Sequence, residues 1–219
     1  MRDRCPMLSI SKRSPLWGRG GRFRPASGPV ASTPKLDRYT RDVSPEAPLE
    51  RTEAGTNPSG DGWFVLNAQD AAWQEREGRW AMLPFRAAQE FEQLGINLFV
   101  LAPGEPLGMY HSEQDQEDFL ILAGDALLLI EGHERPLHQW DFVHCPPGTE
   151  HTIVGGQAGS CVVLGVGARE HQRVTGWHYP VNALALSRDA GVKRETTDMA
   201  EAYADLPDRP TAYRDGWLP

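Results

Sequence analysis

Cysteine is scarce in this 219-residue chain: the three present are Cys5, Cys145 and Cys161, and no two have the C-x-x-C spacing. An odd number without close pairs suggests neither a disulfide framework nor a thiolate zinc site, so a reducing compartment is the simplest setting. Long apolar runs are missing too. None approaches the roughly 20 residues needed to cross a bilayer as a helix, and the N-terminus lacks the apolar stretch of a secretory signal. The expectation is a cytoplasmic protein without membrane contact. Basic charge is also short, with 22 Lys and Arg against 30 Asp and Glu and a net charge of −8. Residues 1–41 hold ten of the basic residues and two of the acids, so the remainder is strongly acidic. That argues against nucleic acid as a partner, because phosphate neutralisation needs a basic face on the folded part.

What is present suffices for one substantial core, since 40% of the residues are hydrophobic. Residues 1–50 are rich in Pro, Gly, Ser and Arg without a period of 2 or 3.6, and are expected to form a disordered basic tail. After Gly60 the pattern changes. Residues 63–66 read as a strand, Asn67 can cap a short helix over 68–76, Gly78 ends it, and 79–85 read as a second strand. Short apolar runs follow at 95–104, 117–124, 125–132, 139–146, 151–156 and 160–168, each bounded by Gly, Pro or Asp-containing turns. This rhythm signals an all-β antiparallel sandwich or barrel. Residues 51–180 are assigned to it, with the strand and helix at its N-terminal side. Residues 181–219 should add short helices near 182–190 and 198–204, and a tail, "RPTAYRDGWLP". Tyr213 and Trp217 should dock that tail onto the barrel or onto a neighbouring subunit. Trp63, Trp73, Trp80 and Phe85 are expected to fill the core between the N-terminal element and the barrel.

Two polar bursts carry the chemistry. In "GMYHSEQDQEDFLILAG" (108–124), His111 and Glu113 are two apart and point the same way if the chain is extended there, and Glu117 opens the next apolar run. In "HCPPGTEHTIVG" (144–155), Pro146, Pro147 and Gly148 form a rigid turn that fixes where His151 points. Imidazole with carboxylate suits Mn, Fe, Ni, Cu or Zn, and the lack of cysteine in the set disfavours structural zinc. Asp115 and Asp118 are expected in solvent or in turns. His133 and His138 lie in an exposed hairpin, and Cys145 reads as a buried small residue. His144 alternates with Trp140 and Phe142 and is expected to line the barrel, as a core histidine or a catalytic one.

At these residues the chain resembles a cupin. The first cupin motif reads approximately G-x(5)-H-x-H-x(3,4)-E-x(6)-G, and His111, Glu113, Glu117 and Gly124 reproduce its spacing. The second, G-x(5)-P-x-G-x(2)-H-x(3)-N, is matched by Pro146, Gly148 and His151. The resemblance covers about residues 90–168, and "QEDFL", "WDFVHCPPGTEH" and "AYRDGWLP" look like a set of small single-domain bacterial cupins of unassigned chemistry. It implies a jelly-roll antiparallel β-barrel in which His111, Glu117 and His151 bind one divalent metal ion. Three departures matter: Glu113 replaces the second histidine, the glycine before His111 is closer than the pattern expects, and Gly155 replaces the final asparagine. Glu113 is then either a fourth ligand, which shifts the expectation toward Mn or Fe, or a base beside a three-ligand ion, with His144 a second proton-moving candidate. The implied function is that of a metal-dependent isomerase, decarboxylase or dioxygenase acting on a small polar metabolite. The alternative is a non-catalytic module that binds a small ligand. The resemblance also implies a homodimer, with the Trp217 tail a candidate contact.

Overall fold

Alternating side chains cut by Gly, Pro and Asp set most of the strands. The computed structural model describes residues 44–171 and 176–219. The expected tail therefore falls, through residue 43, outside the described residues. The described residues belong to one compact unit, Val43–Pro219. Its strands are β1 (Leu49–Thr52), β2 (Gly55–Pro58), β3 (Ala72–Arg76), β4 (Trp80–Phe85), β5 (Leu94–Leu101), β6 (Ser112–Glu113), β7 (Glu117–Ala123), β8 (Ala126–Ile130), β9 (His133–Leu137), β10 (Phe142–Cys145), β11 (His151–Gly155), β12 (Cys161–Ala168), β13 (Trp177–His178) and β14 (Arg209–Ala212), with helices α1 (Ala183–Leu186) and α2 (Met199–Ala202).

The antiparallel β architecture read from the sequence is present. A seven-stranded sheet has the order β10-β7-β12-β5-β4-β3-β14, a three-stranded sheet the order β11-β8-β9, and β1-β2 and β13-β6 form two small ladders. Among the described residues no ladder joins the two larger sheets, so closure into one barrel is not seen. Instead the main core fills the space between them: Phe99, Leu101, Phe119, Ile121 and Val163 come from the large sheet, and Ala126, Leu128, Leu137 and Ile153 from the small one. The outer face of the large sheet carries a second core of Trp73, Leu83, Leu98 and Val100, covered by Tyr213 and Trp217.

The helix expected over 68–76 does not form. Asn67 does accept a hydrogen bond from the Gln69 N–H at 2.9 Å, as a cap would, but the chain turns and enters β3. Ala71, Trp73 and Glu75 alternate toward one face, and β3 pairs with β4 and with β14, more than a hundred residues away in sequence. Burying Trp73 in that sheet outweighs the weak stability of a two-turn helix in isolation. Gly78 consequently serves the β3–β4 hairpin. Of the predicted strand at 63–66 only a bridge from Trp63 to Glu46 remains, and Trp63 is 53% exposed, so it is not a core residue. Trp73 and Trp80 are buried on opposite faces of the sheet and belong to different cores. Strand β9 was unexpected; its Pro136 is tolerated because β9 is an edge strand.

Both C-terminal helices form where their caps stand. Asn182 accepts from the Leu184 and Ala185 N–H groups, and Asp198 from Ala200. The terminal aromatics dock on their own chain: Trp217 and Tyr213 lie 5.1 and 6.0 Å from Trp73. Beneath them Glu75 accepts from Arg209 Nε at 2.6 Å and Arg214 Nη2 at 2.5 Å. No helix among the described residues is long and apolar enough to cross a membrane.

Candidate metal centre

Backbone pairing brings the two histidines together before any side-chain interaction is considered. His111 and His151 form an isolated antiparallel bridge, with N–H···O bonds of 3.1 and 2.8 Å in the two directions. Directly opposed residues of such a bridge present their side chains on one face. Their imidazole centroids lie 5.2 Å apart. The turn that delivers His151 is fixed by Gly148, whose φ of +85° favours glycine and whose N–H donates to the Glu113 carbonyl at 2.6 Å.

Glu117 arrives from the other sheet. It opens β7, pairs in register with Cys145 on β10, and reaches His151 Nε2 at 3.0 Å and His111 Nε2 at 3.9 Å through Oε2. The site thus lies where the seven-stranded and three-stranded sheets approach each other. One donor atom from each of His111, Glu117 and His151 lies within 4.8 Å of the other two. Two ligands on one ion, each about 2.0–2.2 Å from it, stand at most about 4.4 Å apart, so a small side-chain adjustment brings this trio onto a single ion.

The tautomers suit a metal as well. His111 Nδ1 lies 2.8 Å from the Met109 carbonyl and His151 Nδ1 lies 3.0 Å from the Thr149 carbonyl. A carbonyl only accepts, so both Nδ1 atoms carry hydrogen and both Nε2 atoms face the site. Burial pushes the His151 imidazole down, but its hydrogen bonds with Cys145 and Glu117 and their charges outweigh that and hold it well above the usual value. Without metal, the contact with Glu117 thus favours a proton on His151 Nε2. An incoming cation displaces that proton, as expected of a ligand set.

Glu113 lies beside the trio. Its Oε1 is 3.3 Å from His111 Nε2 and accepts the Trp177 indole N–H at 2.7 Å. Trp177 is its cross-strand neighbour on β13, so sheet register sets this contact. The carboxylate is only 8% exposed, so Glu113 does not simply face water. Asp115 is also buried, contrary to expectation, and accepts from the N–H and Nδ1 of His171 at 2.8 and 2.7 Å. Tyr179 completes this wall, stacked on the His111 ring at 5.5 Å, and burial pushes its phenol well up, so it stays neutral.

His144 is elsewhere. Its alternation with Trp140 and Phe142 holds, but that face points outward: Trp140 and Phe142 are 66% and 65% exposed, and His144 bonds Asp118 at 2.6 Å on the outer surface. The inner position of the strand belongs to Cys145, opposite Glu117. A lining role for His144 is corrected accordingly. Sequence reasoning missed Trp177 and Tyr179, although "WHY" before the Asn182 cap places two aromatic residues at strand spacing.

The family model for the cupin domain matches residues 97–167. Comparison with curated proteins gives no match. Among solved structures, the chain is similar to a sugar phosphate isomerase from a cupin superfamily, from Silicibacter pomeroyi DSS-3. Identity is 27% and the TM-score 0.38, over 41% of this chain and 59% of that one. It is likewise similar to a Cupin 2 conserved barrel domain protein from Salinispora arenicola CNS-205, at 25% identity and a TM-score of 0.36, over 40% and 74% of the two chains. A cupin protein from Bacteroides fragilis matches at 19% identity and a TM-score of 0.39, over 48% and 82%. The match therefore spans little more than half of the first of these structures. Both motifs, folded into one cluster, and the match to the cupin-domain family model fall on the same residues, 97–167.

Proposed function

We propose that this chain is a metal-dependent enzyme acting on a small polar metabolite, with His111, Glu117 and His151 holding one divalent ion and Glu113 moving a proton beside it. The observation that carries the reading is the convergence of three donor atoms within 4.8 Å from two sheets, with both imidazoles oriented by backbone carbonyls. Two imidazoles and one carboxylate with further positions for substrate favour Fe or Mn, with Ni, Zn and Cu also compatible with the donor types. When bound, such an ion supplies Lewis acidity toward a carboxylate, enediol or sugar-like pair of oxygens.

The chain's own groups do the rest. Glu113 is held by the Trp177 indole with one oxygen toward His111, within reach of a molecule placed next to the ligand set. Tyr179 and Phe119, 5.5 Å from His111 and His151 respectively, wall off bulk water on two sides. Isomerisation, decarboxylation and oxygen-dependent cleavage all fit this arrangement, since fold alone does not select chemistry. Elemental analysis of protein purified without chelator tests the reading: one divalent ion per chain is expected, lost in His111→Ala and Glu117→Ala. A metal-free parent, or variants that bind added Mn, Fe, Ni or Zn as well as the parent, would sink it.

A further inference from the structure

A second charged cluster lies in contact with the same interior, and one of its members lacks an acceptor. Arg79 follows the hairpin turn at Gly78 and is 7% exposed, and its Nε and Nη1 are buried without a hydrogen-bond partner among the described residues. A guanidinium stays charged at any ordinary pH, and folded proteins pair nearly all such donors with protein, water or ligand. Burial opposes its charge most strongly; among the charged and titratable groups that act on it, Tyr203 and Asp189 favour the charge and Arg76 opposes it. Arg76 itself is committed: its Nε is 2.5 Å from Asp208, and its guanidinium lies 4.3 Å over the Tyr203 ring and 5.1 Å over Trp80. Arg76 therefore sits on Tyr203 with a carboxylate in hydrogen-bonding contact, whereas Arg79, near enough for its charge to be felt by Arg76 and Tyr203, has none among the described residues.

This cluster connects to the metal centre along two walls. On one, Tyr203 is 6.1 Å from Tyr179, which stacks on His111. On the other, Trp80 is 6.1 Å from Phe99, Phe99 and Phe119 meet over Gly165, and Phe119 is 5.5 Å from His151. The contacts close a circuit of side chains with the imidazoles at one pole and Arg76 at the other.

We propose that Arg79, with Arg76 and Tyr203, forms an anion-binding subsite, and that the molecule taken by the metal centre carries a carboxylate or phosphate at the end remote from the ion. The substrate half of this statement rests on the metal-dependent reading above; the anion subsite does not. An oxyanion there supplies the acceptors that Arg79 lacks, through charge-assisted hydrogen bonds. Tyr203 is oriented for the purpose, because its oxygen accepts the Met109 N–H at 2.8 Å and leaves its own hydrogen to donate.

Calorimetric titration of the full chain, with and without bound metal, by inorganic phosphate and separately by malonate tests the proposal. Saturable binding of at least one anion, one per chain, is expected. Arg79→Gln should weaken it at least about tenfold while metal content stays at that of the parent. Arg79→Met removes the unpaired charge at similar length and should raise the Tm in anion-free buffer, while the better-bound anion raises the Tm of the parent alone. A parent that binds neither anion saturably, an Arg79→Gln variant within tenfold of the parent, or an Arg79→Met variant that melts lower in anion-free buffer overturns the proposal. Anion binding by a parent chain that takes up no added Mn, Fe, Ni or Zn supports the subsite and overturns the metal reading instead.

Discussion

The two faces of the seven-stranded sheet both bury carboxylates among aromatic rings, yet they finish the task differently. On the outer face Glu75 is closed by Arg209 and Arg214, and Trp73 is covered by Tyr213 and Trp217, all from the same chain. On the inner face Glu117 meets two imidazole Nε2 atoms; beside it Glu113, on the β6–β13 ladder, leans on Trp177, and Arg79, in the β3–β4 turn, has buried donors without an acceptor among the described residues. The outer face is completed by the protein, whereas the inner one leaves donors of both signs directed at common points. A buried carboxylate neutralised by arginine holds structure; one that faces oriented imidazoles can exchange a proton for a cation.

The largest effect should come from undoing the outer face. Trp73→Ala removes a side chain that is 1% exposed and should cost about 3–5 kcal/mol of stability, read from the urea midpoint, while metal content stays at one per chain. Loss of metal together with stability would show that the faces are not separable. Glu117→Ala should do the reverse, lowering metal affinity by more than about a hundredfold in equilibrium dialysis with little change in the urea midpoint of the metal-free chain. A variant that binds metal like the parent would place the ion elsewhere.

Parts of this contrast were legible in the sequence and parts were not. Strands β5, β7, β8, β10, β11 and β12 could be read because Gly, Pro and Asp punctuate each apolar run, and the trio His111, Glu117 and His151 because motif spacing fixes positions along the chain. Residues 68–76 misled because Asn67 and Gly78 look like helix caps, while the pairing that decides the matter comes from β4 and the distant β14. For His144 the alternation with Phe142 was right and the direction wrong. Periodicity tells which side chains share a face, and only tertiary packing tells which face is inside. Trp177, Tyr179 and Arg79 reach the inner region from elements far apart in sequence, so no local pattern could gather them.

Glu113 sharpens the comparison within the inner face. It touches a ligand without belonging to the trio, so Glu113→Gln should lower metal affinity only about tenfold, the mild end of the range for groups that orient ligands. Trp177→Phe, which removes the 2.7 Å donor, should resemble it and leave metal content intact. A hundredfold loss in Glu113→Gln, equal to that of Glu117→Ala, would make it a fourth ligand and remove it as a base.

The smallest effect concerns the end of the inner face away from the ligands, where the chain again completes itself. Cys161 opens β12 in the main core and is fully buried. Burial, helped by the charge of Asp125, pushes its thiol from 9.0 up to about 11. Below pH 9 the thiol is neutral in folded and unfolded chains alike, and the stabilisation linked to it is complete. As pH climbs from 9 toward 11 the unfolded chain ionises Cys161 and the folded one does not, so that stabilisation is lost. The urea midpoint should therefore fall between pH 9 and 11, and fall less in Cys161→Ala. In the native state at pH 8 Cys161 should also resist thiol reagents. Equal slopes for parent and variant would mean that water reaches Cys161, and that the inner face is open at both ends.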